Sequence, residues 1–243
     1  MTGFRGVSAS MMKTANGGLR FSASVNKVRP GRPPDDGAPW VEVDSAGFFT
    51  HPSAELAEDA PRRSLWFNAA MLALLMNGGL LVHSAGAVLK RRGIVIAALS
   101  GTGKSTLSRF LEDAFPGSVV GDERMAVRPV PSPDADAPRW MLAGTPWEST
   151  AGIARKTTAP LAALVFLEQA PACEIESISA LDAAKRLLPL ISVDWTISTL
   201  ADLGVSALNA LLAAIPAYVF RLPKSPDAAR FLATWVETLN EWR

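Results

Sequence analysis

The chain has 243 residues, of which 49% are hydrophobic and 19% are charged, and its formal net charge at pH 7 is +1. This length accommodates one large α/β domain, or a core of about 150 residues with a smaller domain attached. A net charge near zero provides no long-range attraction to DNA or RNA, so we expect no nucleic-acid partner.

Cysteine content and hydropathy bear on where the protein resides. Cys173 is the only cysteine, which excludes an intrachain disulfide and a thiolate metal cluster and predicts a reducing, cytoplasmic setting. Residues 1–13 contain no apolar segment, so we expect no secretory signal. The longest apolar stretch, residues 65–82, is interrupted by polar residues and is shorter than the roughly 20 residues of a membrane span. We therefore expect no membrane insertion.

Residues 1–63 are predicted to form an N-terminal β-rich subdomain. Turn-forming residues dominate residues 29–37, and the flanking segments 19–28 and 39–49 alternate polar and apolar residues as half-buried strands do. We assign residues 64–243 to a second domain, which contains every candidate functional residue of the chain.

The second domain begins with a predicted helix and a predicted hairpin. Ser64 can cap a helix over residues 65–76, and Asn77-Gly-Gly ends it. Residues 80–89 and 94–99 are predicted strands, and the loop between them contains Gly93, which suits a hairpin turn.

Apolar runs and capping residues predict the remaining elements. The predicted strands are residues 119–120, 125–130, 161–167 and 217–222, and the predicted helices are residues 104–114, 179–188 and 225–242. Together these elements predict an α/β fold with a mixed, twisted sheet flanked by helices.

The strongest motif is a glycine-rich turn between a predicted strand and a predicted helix. After Leu99 the chain reads Ser-Gly-Thr-Gly-Lys-Ser-Thr, which is typical of a P-loop in that context. Gly101 and Gly103 let backbone amides converge on an anion at the positive end of the helix. The residues predicted to bind the nucleotide phosphates are Ser100, Gly101, Thr102, Gly103, Lys104, Ser105 and Thr106.

Two residues of this turn have more specific predicted roles. Lys104 would reach the β- and γ-phosphates, and the hydroxyl of Ser105 would bind magnesium. The full P-loop pattern has a glycine where this chain has Ala98, and alanine fits that position if its φ is negative.

Two acids and a histidine are the other candidates for chemistry. Asp122 and Glu123 end a short apolar strand, and active groups gather at the carboxyl ends of strands in such sheets. His83 ends the apolar run Leu80-Leu-Val. Phosphoryl transfer needs a carboxylate for the metal ion and often a base for the proton of the attacking hydroxyl, and these acids could supply both.

The order of these motifs resembles a known family. His83-Ser-Ala-Gly, then a hairpin, then Ala98-Leu-Ser-Gly-Thr-Gly-Lys-Ser, then Gly121-Asp-Glu look like the HPr serine kinase/phosphorylase catalytic domain. The wider group includes kinase-like proteins of natural-product gene clusters, such as lasso-peptide precursor kinases. Its fold is similar to that of phosphoenolpyruvate carboxykinase. The resemblance implies a P-loop kinase-like domain over residues 64–243, ATP and Mg²⁺ as cofactors, and serine phosphorylation.

The resemblance also implies roles for individual residues. Asp122 would be the catalytic base, His83 a supporting catalytic residue and Glu123 a metal ligand, with Lys104 also catalytic. Asp122 and Ser105 would share the metal with Glu123. Gly144-Thr-Pro-Trp is similar to a segment near the active site in the kinase-like subgroup, and Arg155 after it is a candidate cation for the nucleotide phosphates, as is Lys156. A solvated basic pair is an equally good interpretation of these last two residues.

The acceptor and the assembly state stay open at this point. The Arg-Gly-Leu-Gly-Ile signature that accompanies HPr recognition is missing, so a peptide, a protein or a small-molecule hydroxyl can be the acceptor. The alternatives to a kinase are a nucleotide-dependent ATPase or switch without a phosphorylated acceptor, and a binding module that has lost catalysis. The apolar residues 203–214 would either cover the core or form a homo-oligomer contact.

Overall fold

The computed structural model describes residues 8–13, 19–24, 40–43, 49–50, 60–99, 101–132, 138–147 and 152–239. The chain divides into two compact units, Met1–Asn77 and Gly78–Arg243. The domain boundary predicted at residue 64 lies inside a helix of the first unit. No helix among the described residues is long and apolar enough to cross a membrane.

The first unit contains a small antiparallel sheet and one helix. The sheet has the order β1 (Ser8–Lys13), β2 (Leu19–Ser24), β3 (Trp40–Val43) and β4 (Phe49–Thr50). Helix α1 (Ala60–Met76) begins one turn before the predicted start at Ser64. Pro61 is compatible with this earlier start, because N–H groups of the first helical turn have no intrahelical acceptor.

The second unit is built on a mixed sheet of nine strands among the described residues. The strands are β5 (Leu80–Val82), β6 (Ala85–Leu89), β7 (Arg92–Ala97), β8 (Val119–Gly121), β9 (Met125–Val130), β10 (Arg139–Gly144), β11 (Thr158–Gln169), β12 (Glu174–Ser177) and β13 (Ala217–Leu222). The helices are α2 (Lys104–Ala114), α3 (Ala180–Leu187), α4 (Ser198–Ala214) and α5 (Asp227–Thr238), and a 3-10 turn (Leu188–Leu190) follows α3. The predicted mixed α/β architecture is therefore present in this unit.

Strand polarity brings four strand ends to one edge of this sheet. β7 pairs in parallel with β11, and β11 pairs in parallel with β13. β6 is antiparallel to both β7 and β8, so β8 runs in the same direction as β7. The segments that follow β7, β8, β11 and β13 consequently meet at one edge, where α/β sheets bind their ligands.

Helix α2 is anchored on one face of the sheet together with α5. Leu107 and Leu111, one turn apart on α2, are buried in a cluster with Leu232 and Val236 of α5. Ile96 of β7 belongs to the same cluster. The start of α2 is thus held rigidly above the carboxyl end of β7.

The strand predicted over residues 80–89 is interrupted in the structure. β5 pairs with β9, whereas β6 pairs with β7 and β8, and the chain changes partners at His83 and Ser84. The backbone N–H of His83 donates to the carbonyl of Leu190 at 2.7 Å instead of continuing a strand ladder. His83 therefore sits at a break in the sheet, where its side chain can face the start of α2.

The β6–β7 hairpin turns differently from the prediction. Lys90 and Arg91, with φ of 50° and 66°, make the turn, and Gly93 lies within β7. A Cβ at Gly93 would approach Leu142 Cβ and the Pro160 carbonyl oxygen to 3.0 Å. Glycine is needed at position 93 because β10 and β11 pack closely against β7. The hairpin turn at Lys90 and Arg91 does not require a glycine.

Other elements match the prediction in part. Ser179 caps α3 as expected, and its hydroxyl accepts from Asp182 N at 3.1 Å. Strands β10 and β12 were not predicted: Glu-Ile-Glu-Ser in β12 has one apolar residue, and the apolar run Trp-Met-Leu-Ala in β10 is too short to distinguish a strand from a helix segment. The predicted end of α5 at residue 242 lies outside the described residues.

A bidentate ion pair joins α2 to the segment before β11. Glu112 accepts from Arg155 Nη1 at 2.8 Å and Nη2 at 2.7 Å, and also from the backbone N–H of Gly117 at 2.8 Å. The hydrogen bonds from Arg155 are the main cause that lowers the pKa of Glu112. This carboxylate therefore stabilises the folded state as long as it is ionised.

We expect Glu112→Gln to lower the free energy of unfolding by about 1.5–3 kcal/mol, since hydrogen bonds to a charged group are lost. Because the folded pKa is depressed, the contribution of Glu112 is present above its unfolded pKa and is lost as pH falls through the folded value. Urea unfolding at pH 7 and at pH 4 measures both effects. Arg230→Gln is the control, because Arg230 is 76% exposed and lies 3.9 Å from Asp227. Equal unfolding midpoints for wild type and Glu112→Gln at pH 7 would contradict this assignment.

Candidate active site

The turn between β7 and α2 contains two glycines with positive φ directly before a helix. Gly101 and Gly103 have φ of 83° and 108°, a region that L-residues with a side chain rarely adopt. Thr102 Oγ1 donates to the Leu99 carbonyl at 2.8 Å, and α2 begins directly at Lys104. Successive amides in this conformation form a concave anion site at the positive end of the helix. Ser100, also predicted to bind phosphate, lies outside the described residues.

Ala98 occupies the position where the full P-loop pattern has glycine. It is 5% exposed and belongs to the apolar cluster under α2. Among the described non-glycine residues, positive φ occurs at Lys90 and Arg91, so Ala98 keeps the negative φ that alanine requires. The alanine thus fits the turn without strain.

We expect Gly101→Ala to weaken MgATP binding roughly tenfold, since a left-handed alanine costs about 1–2 kcal/mol and the turn would relax away from its anion-binding shape. Gly117→Ala is a matched control: Gly117 also has φ of 83°, and a Cβ at either position meets nothing within 4 Å. Calorimetric titration with MgATP measures the affinities. Both variants should lose similar stability, and similar affinities in the two variants would argue against phosphate binding at this turn.

Lys104, His83 and Glu123 form a hydrogen-bonded chain beside the turn. Lys104 Nζ lies 3.1 Å from His83 Nε2, and His83 Nδ1 lies 2.9 Å from the backbone carbonyl oxygen of Glu123. A carbonyl oxygen can only accept, so Nδ1 carries the proton and Nε2 accepts from the Lys104 ammonium. His83 is consequently a neutral imidazole in this arrangement.

Electrostatics agree with a neutral histidine. Burial is the main cause that lowers the pKa of His83, and the positive charge of Lys104 lowers it further. Burial is likewise the main cause that lowers the pKa of Lys104. The Glu123 carboxylate, with Oε1 3.4 Å from His83 Nδ1, opposes both shifts. A half-buried lysine in this state is stabilised by an anionic ligand, which provides a partner for its charge.

The two acids occupy different environments at the end of β8. Asp122 is 1% exposed, whereas the Glu123 side chain is 30% exposed. Asp122 directly follows β8 and precedes Glu123, whose backbone carbonyl lies 2.9 Å from His83 Nδ1, and the negative charge of Asp122 raises the pKa of Lys104. The structure therefore brings four predicted residues together at one edge of the sheet: His83, Lys104, Asp122 and Glu123.

The donor set at this edge is of a kind that magnesium accepts together with a nucleotide. Magnesium is usually held by one or two carboxylates and substrate phosphates, and it keeps several waters. Ser105 in the first turn of α2 and the carboxylates of Asp122 and Glu123 are the candidate protein ligands. Among residues 60–99, 101–132, 138–147 and 152–239, no group of three or more His, Cys, Asp or Glu could hold a metal ion.

Arg155 is not brought to this cluster. Its guanidinium is held by Glu112 and by the carbonyl of Val119, and its backbone N–H donates to Val120 O at 2.8 Å. Glu112 follows Lys104 by eight residues on α2, a rise of about 12 Å. The prediction of Arg155 as a phosphate-binding cation did not anticipate this ion pair. Lys156, the other candidate, is exposed.

Arg124 belongs to the cluster, although sequence reasoning did not single it out. Its Nη1 donates to Ser192 Oγ at 2.9 Å, and its Nε lies 3.8 Å from Glu123 Oε1. Thr145, within the segment predicted to lie near the active site, donates from its hydroxyl to the Arg124 carbonyl at 2.5 Å. Arg124 directly follows the two acids, and that adjacency was the available signal.

Two clefts flank the glycine turn. The larger has a volume of about 920 Å³, and Leu99, Phe166, Ile178 and Leu190 contribute its apolar surface. The smaller, about 100 Å³, lies toward α2 and β13 and is lined by residues that include Thr106, Phe110, Pro223 and Lys224. Gly101 and Thr102 line both clefts, so the turn lies between them.

Comparisons with known proteins add a distant likeness. No protein-family model matches the sequence, and a search of curated proteins gives no match. Among solved structures, the chain is similar to the HPr(Ser) kinase/phosphatase from Coxiella burnetii, with a TM-score of 0.37 and 14% identity. The match covers 65% of this chain and 88% of that chain. A likeness this distant assigns neither an activity nor a substrate to this chain.

Proposed function

We propose that this chain is a phosphotransferase that moves the γ-phosphoryl group of MgATP to a hydroxyl, with a serine of a peptide or protein as the favoured acceptor. The observation that carries the proposal is the cluster of Lys104, His83, Asp122 and Glu123 beside a left-handed glycine turn. A lysine, a carboxylate pair and an anion-binding turn are the parts that phosphoryl transfer requires.

Each residue has a defined role in this reaction. The turn amides and Lys104 hold the β- and γ-phosphates, and His83 orients Lys104 through the 3.1 Å contact to its ammonium. Ser105 and Glu123 would hold magnesium, which when bound neutralises charge on the phosphate oxygens. Asp122 accepts the proton of the acceptor hydroxyl as its oxygen attacks phosphorus. The bond from the γ-phosphorus to the bridging oxygen breaks, and ADP leaves.

The larger cleft beside the turn supports the binding of a substrate at this edge of the sheet. Transfer needs the donor and the acceptor on opposite sides of the γ-phosphorus, because attacking and leaving oxygens lie roughly in line. The larger cleft extends to Leu190, whose carbonyl accepts from the backbone of His83 at 2.7 Å. Its volume of about 920 Å³ falls within the range of pockets that enclose a sizeable ligand. This cleft is therefore large enough for one of the two substrates, and the smaller cleft of about 100 Å³ is not.

The test is a search for a labelled acceptor. Purified protein is incubated with magnesium, γ-labelled ATP and either cell extract or pools of serine-containing peptides, and mass spectrometry identifies products heavier by one phosphoryl group. We expect a phosphorylated acceptor with wild type and none with Lys104→Ala. Nucleotide hydrolysis without any labelled acceptor would instead favour the ATPase or switch interpretation, and failure to bind MgATP would refute both.

A further inference from the structure

Arg124 is fixed from three sides of the candidate site. Its backbone carbonyl accepts from Thr145 Oγ1, and Thr145 is itself 8% exposed. Its side chain is 27% exposed and donates from Nη1 to Ser192 Oγ at 2.9 Å. The guanidinium Nε lies 3.8 Å from Glu123 Oε1. These contacts hold the guanidinium alongside the cluster, whereas an unconstrained surface arginine would extend into solvent.

Ser192, the hydroxyl that holds Arg124, is positioned by the same segment that positions His83. The backbone N–H of Ser192 donates to Leu81 O at 2.8 Å, and two residues earlier Leu190 O accepts from His83 N. Ser192 is 9% exposed. The segment from Leu190 to Ser192 thus fixes the histidine and the arginine relative to each other.

The charges around Arg124 favour an anionic ligand. Lys104 Nζ lies 3.1 Å from His83 Nε2, and His83 Nδ1 and Arg124 Nε lie 3.4 Å and 3.8 Å from the same atom, Glu123 Oε1. Two cations, Lys104 and Arg124, therefore share the surroundings of one carboxylate, Glu123, and Asp122 precedes it in the chain. With Glu123 holding magnesium, as proposed above, its charge would no longer be available to the two cations. The transferred phosphoryl, with charge spread over three oxygens, is the anion that would then satisfy both cations.

We infer that Arg124, held by Ser192, donates to the oxygens of the transferred phosphoryl group in the transition state. This inference rests on the proposed phosphotransferase function and assigns to Arg124 the role that Arg155, bound to Glu112, does not fill. In the reaction the acceptor oxygen bonds to phosphorus, the bond to the ADP oxygen breaks, and the proton passes to Asp122. Arg124 stays protonated throughout and only stabilises charge. Ser192 is a positioning residue.

The experiment compares binding of MgADP with binding of MgADP plus aluminium fluoride, which mimics the phosphoryl group in transfer and needs no acceptor. The proteins are wild type, Arg124→Gln, Arg124→Lys, Ser192→Ala and the control Arg128→Gln, at an exposed position of β9. We expect aluminium fluoride to tighten binding to wild type and Arg128→Gln. Arg124→Gln should keep its MgADP affinity and lose that gain, on the order of 10²-fold.

The other variants separate charge from geometry. Arg124→Lys keeps a positive charge without the planar fork and should recover only part of the gain. Ser192→Ala keeps Arg124 and should lose a smaller part of the affinity gain on adding aluminium fluoride. This variant still tests the inference if Arg124→Gln fails to fold. An undiminished gain in both Arg124→Lys and Ser192→Ala overturns the inference, as does a full gain in folded Arg124→Gln. No gain in wild type that binds MgADP overturns it too, and no MgADP binding at all refutes the proposed function as well.

Discussion

Replacing Asp122 with asparagine is expected to slow phosphoryl transfer by 10²- to 10⁴-fold, on the order found when a general base is removed, while MgATP binding is largely retained. Asp122 is 1% exposed at the end of β8 and lies near Lys104. Asparagine has nearly the same shape, but its amide cannot take the proton of the acceptor hydroxyl. Single-turnover transfer to the identified acceptor measures the rate, and calorimetry measures the affinity.

The matched control for this prediction is Asp113→Asn. Asp113 is exposed on α2, so its variant should behave as wild type in both measurements. If Asp122→Asn transferred phosphate at the wild-type rate, the base would have to be another group. If it lost MgATP binding and transfer together, Asp122 would be foremost a magnesium ligand, as the ATPase or switch interpretation requires.

The parts of the site that sequence predicted are those set by local structure. Gly101 and Gly103 are needed where the chain turns with positive φ, and Lys104 follows them directly. The conformation of such a turn depends on its own few residues, so the motif predicts it. The position of Asp122 follows from one further rule, that the carboxyl ends of parallel strands meet at one edge.

The parts that sequence could not predict depend on residues far apart in the chain. The break at His83 exists because Leu190 accepts from its backbone N–H. Arg124 is directed by Ser192, and Arg155 is removed from the cluster by Glu112, an acid on α2 with no local mark to distinguish it. Tertiary contacts decide which cation lies in the cluster, and residue type and spacing alone do not predict it.

His83 connects the predicted and the unpredicted parts of the site. Its pattern placed it at the end of a strand, and only the fold shows that Nε2 faces Lys104 while Nδ1 faces the carbonyl of Glu123. The imidazole accepts from Lys104 and donates to the Glu123 carbonyl, so it links the lysine after the glycine-rich turn to the residues that follow β8. The histidine thus acts through Lys104, which makes the lysine the informative residue to replace.

Lys104→Ala is expected to weaken MgATP binding roughly 10- to 100-fold, because charge-assisted hydrogen bonds to the phosphates are lost. The change should also raise the pKa of His83, since a positive neighbour disfavours the imidazolium. The rise should be partial, because burial is the larger cause of the lowered pKa and would remain. NMR titration of the imidazole signals measures it, and His51→Asn identifies which of the two histidines is which.

Lys90→Ala is the control for Lys104→Ala. Lys90 lies at the hairpin that starts β7, at the opposite end of the strand from the glycine-rich turn, and its ammonium pairs with Glu237 at 3.3 Å. Its replacement should change neither the MgATP affinity nor the pKa of His83. An unchanged His83 pKa in Lys104→Ala would mean that the 3.1 Å contact is absent in solution. Unchanged MgATP affinity would mean that the turn does not bind phosphate, and the proposed transfer would then have no donor site.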